Sequence, residues 1–228
     1  MIIGNGLIAR SLSGFEKDNN VVIFASGVSN SSEANENEYE REKKLLLEQR
    51  NKNKHLVYFS TCSIFDSSLS ESRYIIHKKE IENLLLNDFE NYLLIRLPIL
   101  IGRTSNRHTF FNFIRDRIIN NEFFQIHKNA WRYLLDTDDL TSFFPKLLRE
   151  YYSGKHELNM VFNNEMNVAD IIKLYEKILG IEANAEFVNK GCKYTIDNNA
   201  FKFLLKKNGI KKNMENYNYS VLKKYLLK

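Results

Sequence analysis

Short apolar runs alternate with longer amphipathic segments along this chain, the pattern expected of parallel strands joined by helices. Met1–Ile3 reads as a short strand, and a helix opens at Gly6–Leu12. Val21–Ala25 (VVIFA) is a continuous apolar run, as a strand buried on both faces requires. Glu33–Gln49 is densely charged on one face and carries Leu45, Leu46 and Leu47, which predicts a surface helix. His55–Ser60 is the next strand and Tyr74–Leu86 the next helix. Tyr92–Leu97 is a strand that stops at Pro98, where the missing N–H suits a strand end.

The second half has a looser pattern. Thr109–Ile119 predicts a helix, Phe123–His127 an extended piece, Trp131–Leu135 a strand and Thr137–Tyr152 a helix. His156–Met160 follows as a strand, and Val168–Leu179 and Ala200–Lys207 as helices closed by Gly180 and Gly209. A last helix runs from about Ser220. The expected class is α/β, with a Rossmann-like parallel sheet flanked by helices. Residues 1–105 form the dinucleotide-binding region in this reading. Residues 106–228 supply the remaining sheet elements and a small C-terminal α/β substrate-binding region, within one compact unit.

Composition narrows the class. With 43% hydrophobic and 13% aromatic residues, 228 residues can bury a sizeable core, which excludes a disordered chain. No apolar run approaches the roughly 20 residues that span a bilayer. The N-terminus lacks the basic segment of a signal peptide. Cys62 and Cys192 supply neither a disulfide framework nor a metal cluster, so a cytoplasmic protein with no metal site is expected. The net charge of +5 is modest, and much of the excess lies in Lys202, Lys206, Lys207, Lys211, Lys212, Lys223, Lys224 and Lys228. These read as a solvated helical face, with an anionic partner as the other reading. No zinc-finger, helix-turn-helix or RNP spacing is present, so no nucleic-acid or membrane partner is expected.

The opening residues carry the first chemical signal. Gly4-Asn5-Gly6-Leu7-Ile8-Ala9 is G-x-G-x-x-A, directly after a strand and directly into a helix. The first glycine permits a tight turn, the second lets backbone approach a pyrophosphate, and the small Ala9 allows helix–strand packing. An ordinary two-glycine βα turn has the same letters, and the strand–helix context favours the phosphate reading. The acidic residue that holds an adenosine ribose about 20 positions on is missing: that place is Phe24, and the strand ends Ala25-Ser26-Gly27.

A second signal joins Thr61, at a strand end, to Tyr74 and Lys78 thirteen residues later. Positions i and i+4 share a helix face, so a phenol and an ammonium can project together. The ammonium would lower the phenol pKa, and the Thr61 hydroxyl could orient a substrate oxygen. The spacing itself is weak, since Tyr39/Lys43, Tyr151/Lys155 and Tyr219/Lys223 share it. Only Tyr74/Lys78 opens a helix just after a strand ending in Ser-Thr.

These segments, in order, resemble the extended short-chain dehydrogenase/reductases of the NAD-dependent sugar epimerase/dehydratase family. VVIFASG is similar to the family's strand ending in small residues, and VYFSTCSIFD to its V-Y-x-S-S/T-x-x-V-Y-G. IRLPILIG resembles R-x-x-N-V-Y-G-P, and Arg132 to Asp139 resembles R-D-F-x-x-V-x-D. His156–Asn159 with Asn167-Val-Ala-Asp-Ile extends the likeness over nearly the whole chain. The resemblance implies an NAD(P)-dependent epimerase or 4-ketoreductase acting on a nucleotide-activated sugar, in surface polysaccharide synthesis. It implies Thr61, Tyr74 and Lys78 as catalytic residues. Gly4, Asn5, Gly6, Leu7, Ile8, Ala25, Ser26, Gly27, Tyr74, Lys78, Pro98 and Ile99 would contact the cofactor, NAD or NADP. Cys62, Ser63 and Arg132 would contact substrate, Arg132 through its diphosphate. Family habit implies a homodimer through the helices after Glu33 and Tyr74.

Departures from the family pattern qualify what is implied. Dehydratases carry Asp-Glu after the threonine, whereas this chain has Cys62-Ser63, so elimination chemistry is not expected. Ile99 stands where an asparagine is usual. Between the glycine-loop helix and VVIFASG there is room for one helix and a turn, where the family has two further strands. The Rossmann portion is therefore read as shortened. Either pyrophosphate and nicotinamide contacts suffice for binding, or a partner completes the pocket, or the site has decayed; in the last case the chain is a non-catalytic dinucleotide- or sugar-nucleotide-binding protein.

Overall fold

A computed structural model describes residues 1–15, 19–50 and 54–227. Five parallel strands form the central sheet in the order β1 (Ile2–Ile3), β2 (Val21–Phe24), β3 (His55–Thr61), β4 (Tyr92–Leu97) and, from the second half of the chain, β9 (Lys155–Asn159). The register pairs Ile2 with Ile23, Ile23 with Val57, Val57 with Leu93 and Leu93 with His156. Both faces are covered. Val21, Ile23, Val57, Phe59, Leu93 and Ile95 enter the large core, whereas Val22, Phe24, Leu56, Tyr58, Tyr92 and Leu94 enter a second cluster. This two-sided burial explains why the strands read as continuous apolar runs rather than alternating ones.

The helices divide between those faces. α1 (Leu7–Ser11), ended by buried Leu12, and α5 (Thr137–Glu150) pack on the large core, and the Thr141 hydroxyl donates to the Ser11 carbonyl at 3.1 Å. α2 (Glu36–Leu47) and α3 (Arg73–Asp88) cover the other face through Leu46, Ile81 and Leu85. The steps β1 to β2 and β2 to β3 cross the sheet in one direction, yet their helices lie on opposite faces. The two crossovers therefore have opposite hands, although parallel crossovers are right-handed in about 98% of cases.

Smaller pairings complete the fold. β5 (Ile99–Ile101) lies parallel to β8 (Leu134–Asp136), β7 (Trp131–Arg132) antiparallel to β10 (Met166–Asn167), and β6 (Phe124–His127) parallel to β11 (Ala185–Val188). The expected strand Trp131–Leu135 is thus two strands broken at Tyr133, each with its own partner. α4 (Phe110–Ile119) starts at the Thr109 cap, and α6 (Val168–Leu179) ends on Gly180 in the left-handed conformation. α7 (Asn199–Lys207) and α8 (Tyr217–Leu226) close the large core with Phe201, Leu204, Val221 and Leu222.

One charge expectation changes. α2 is no simple surface helix, because Tyr39, Glu42 and Leu46 are buried along one stripe. The C-terminal lysines Lys202, Lys206, Lys207, Lys211, Lys212 and Lys223 are exposed, as a solvated face requires; within it Lys207 pairs with Glu150, Lys212 with Asp139, and half-buried Lys224 with Asp136 and Asp138. Lys228 lies outside the described residues. Among the described residues, no helix is long and apolar enough to cross a membrane, and no group of acidic, histidine or cysteine side chains has a metal-binding arrangement.

Candidate active site

The ends of β1, β2 and β3 meet at the carboxyl edge of the sheet, where open α/β sheets bind ligands. Gly4 turns the chain out of β1 at φ +119°, and a Cβ built there would stand 2.3 Å from the Ala25 carbonyl oxygen. Its role is therefore steric: the Ala25 N–H donates to the Ile3 carbonyl at 2.8 Å, leaving no room for a side chain. Gly6 differs, since a Cβ there would meet nothing within 4 Å. It faces a crevice of about 450 Å³ lined by Asn5, Gly6 and Arg10, by Ala25–Gly27 with Arg41, and by Thr104–Asn106.

Two arginines make the crevice basic. Arg41 donates to the Ser26 hydroxyl at 2.9 Å and the Ser26 carbonyl at 3.2 Å, fixing the end of β2. Arg10 reaches the Thr104 hydroxyl at 3.4 Å. Neither arginine figures among the expected ligand residues. Leu7 and Ile8 do, but Ile8 packs on the core and Leu7 lies against Gly102, away from the crevice lining.

Thr61 and Tyr74 lie near each other. Thr61 ends β3, and its hydroxyl accepts the Ser63 N–H at 3.1 Å to start a 3₁₀ turn; it stands near enough to the Tyr74 phenol to pull its pKa slightly down. Tyr74 is half-buried in the first turn of α3, which Ser72 caps. Burial pushes the Tyr74 phenol above the ordinary tyrosine range, against a downward pull from the Lys78 charge.

Lys78 departs from expectation. It is 2% exposed, and its ammonium donates to Glu42 Oε1 at 2.9 Å, Glu42 Oε2 at 3.2 Å and the Tyr58 hydroxyl at 3.2 Å. Glu42 is fully buried and also accepts the Tyr58 hydroxyl at 2.5 Å and the Val28 N–H at 2.7 Å, while His77 Nε2 lies 3.0 Å away. Burial alone would raise the Glu42 pKa; the Lys78 charge and these hydrogen bonds outweigh it and hold the carboxyl at about 2. The sequence signal for Glu42 was its place between Tyr39 and Leu46 on one helical stripe.

The residues expected to contact substrate are also committed elsewhere. Cys62 is 1% exposed and its thiol donates to the Arg96 carbonyl at 3.3 Å; burial pushes its pKa up, and it faces no open space. Ser63 is half-buried in the turn that Thr61 caps. Arg132 pairs with buried Asp66 at 2.8 Å and with the Trp131 carbonyl. Burial works against the Asp66 charge, but hydrogen bonds from Ser68 and Cys192, with the Arg132 charge, hold its pKa below the usual range. Pro98 and Ile99 follow β4, with Ile99 held by its N–H to the Tyr133 carbonyl at 3.1 Å.

Against a dinucleotide, the two sides of the crevice behave differently. The Gly4–Ala9 side fits a diphosphate: backbone is open at Gly6 and two guanidinium groups stand nearby. Among the described residues, no strand lies beyond β1 to wall an adenosine. Lys78, expected on the nicotinamide ribose, has its three ammonium protons directed at Glu42 and Tyr58.

No family model and no curated protein matches this chain. Solved structures do. The dTDP-glucose 4,6-dehydratase of Bacillus anthracis in complex with NAD aligns with a TM-score of 0.71 at 15% identity, over 98% of this chain and 78% of that one. The UDP-glucuronic acid 4-epimerase of Bacillus cereus, in complex with UDP-glucuronic acid and NAD, gives 0.70 at 17% identity, over 98% and 79%. A dTDP-4-dehydrorhamnose reductase of Clostridium acetobutylicum gives 0.68 at 18% identity, over 96% and 84%. The chain shares the fold of these solved structures, and in it β1 lies directly beside β2.

Proposed function

We propose that this protein is an NAD(P)-dependent epimerase or 4-ketoreductase of a nucleotide-activated sugar. The observation that supports it most is the convergence, at one sheet edge, of the Gly4–Ala9 turn with its basic crevice and the neighbouring Thr61 and Tyr74 side chains. The crevice would hold the diphosphate through Gly6 backbone, Arg10 and Arg41. A bound nicotinamide would supply the hydride acceptor or donor. The chain itself would handle the proton. Tyr74, kept neutral by its surroundings, would give a proton to a ketone oxygen or, once deprotonated, take one from a secondary hydroxyl, while Thr61 keeps that oxygen in line. A role in surface polysaccharide synthesis and a homodimer through α2 and α3 belong to the same proposal.

A second reading is favoured by one observation: Lys78 is buried against Glu42. On that reading the chain binds a nucleotide diphosphate without turnover. Calorimetric titration with NADH, NADPH and a panel of UDP-, GDP- and dTDP-sugars separates the two. The enzyme reading expects saturable binding of a reduced dinucleotide together with a nucleotide sugar. Binding of nucleotide sugars alone would leave the second reading, and binding of neither would end both.

A further inference from the structure

Glu42 reaches under the site from α2, and Lys78 meets it from α3. The pair lies directly beneath the end of β2: a Cβ on Gly27 would stand 2.8 Å from Lys78 Nζ and 3.0 Å from Glu42 Oε1. The lysine ammonium is 5.8 Å from the Tyr74 ring centroid, and its hydrogen bonds run to Glu42 and Tyr58 rather than to the Tyr74 hydroxyl. On the carboxylate side, Oε1 takes the Tyr58 hydroxyl and Lys78, and Oε2 takes the Val28 N–H, Lys78 and the close approach of His77 Nε2. The network closes on itself. A buried carboxylate with this many donors is a fixed counter-charge, and moving Lys78 away would leave it unpaired in the interior.

We propose that Glu42 is a positioning residue that holds Lys78 beneath the Ala25–Gly27 turn, so that the site takes its ligand by the diphosphate and receives no lysine contact on the ribose beyond it. This rests on the proposed reading of the crevice as a dinucleotide diphosphate site. It has two consequences. Without ligand, Lys78 is shielded by its pairing. With ligand, NAD and ADP-ribose bind alike, because the lysine gives the nicotinamide riboside nothing to hold.

The first consequence is measured on the whole protein by amine-reactive labelling followed by peptide mass spectrometry. Lys79, exposed on the same helix, is the internal reference. Lys78 should resist modification in the wild type under conditions that label Lys79, and should become reactive in Glu42→Gln if that variant keeps the wild-type circular dichroism. Labelling of Lys78 at the Lys79 rate in the wild type would overturn the proposal, and so would continued protection in folded Glu42→Gln. This arm needs no ligand and stands whether or not the dinucleotide reading does.

The second consequence uses the double variant Glu42→Gln/Lys78→Met, which removes both charges at nearly constant volume. It should bind NAD and ADP-ribose within about twofold of wild type, a difference of less than about 0.5 kcal/mol. A tenfold loss for NAD with ADP-ribose unchanged would show Lys78 on the nicotinamide riboside and overturn the proposal. Failure of the wild type to bind either ligand would end the dinucleotide reading, leaving the labelling arm to decide what Glu42 does.

Discussion

Glu42 and Lys78, one on α2 and one on α3, form an ion pair 2.9 Å long in which the carboxylate is fully buried and the ammonium nearly so. The pair joins the two helices across the face of β3, where Tyr58 bonds to both members. The lysine that the sequence offers to a cofactor is thereby part of the interior.

Breaking the pair from one side should be costly. Glu42→Ala strands an ammonium in the core, and a loss of about 3–5 kcal/mol is expected in chemical denaturation. Glu42→Gln/Lys78→Met, which leaves neither charge, should lose markedly less. Equal losses in the two variants would mean that packing rather than charge dominates there.

The same carboxylate sets an acid limit. Glu42 ordinarily titrates at 4.5 and is held at about 2 in the folded protein. Its contribution is therefore complete above about pH 5 and is lost as pH falls toward 2, up to about 3 kcal/mol from this group. Denaturation midpoints measured from pH 6 downward should fall less steeply in the double variant than in the wild type.

The two glycines of the opening loop should separate fold from binding. Gly4→Ala forces a Cβ onto the Ala25 carbonyl at a positive φ, so a loss above about 2 kcal/mol is expected. Gly6→Ala places its methyl in open space, with a stability change within about 0.5 kcal/mol. That methyl projects into the crevice, and diphosphate ligands should bind about tenfold more weakly. Thermal melts and calorimetry on both variants check the contrast.

Tyr217 ties α8 to the start of α5. Its hydroxyl donates to Asp139 at 2.7 Å and accepts the Asp136 N–H at 2.9 Å. Tyr217→Phe leaves both groups short of a partner and should cost about 1–3 kcal/mol without altering ligand affinity. A matched pair of denaturation and binding curves tests this.

Much of the sheet was legible because strands buried on two faces spell continuous apolar runs, as VVIFA and YLLIRL do. The glycine turn was legible for a related reason: Gly4 answers a backbone contact that no other residue can make. The compensating carboxylates were not. Glu42 sits in a helix so rich in glutamate and lysine that its one buried charge looks like its neighbours, and only the Tyr39–Glu42–Leu46 stripe marks it. Asp66 ends the segment VYFSTCSIFD, but its partner Arg132 is 66 residues away, a distance that pattern reading does not cross. Arg10 and Arg41 enter the crevice from α1 and α2, helices on opposite faces of the sheet whose meeting at one crevice no local spacing encodes.

Tyr74→Phe tests most directly whether Tyr74 exchanges the proton at a nucleotide-sugar site. With a bound reduced dinucleotide and a nucleotide keto-sugar, the wild type should consume the reduced-nicotinamide absorbance. The variant should keep its calorimetric affinity for both ligands and lose at least about a hundredfold in rate, within the range a positioned acid or base contributes. A wild-type rate in Tyr74→Phe with both ligands bound would contradict a proton-transfer role for Tyr74.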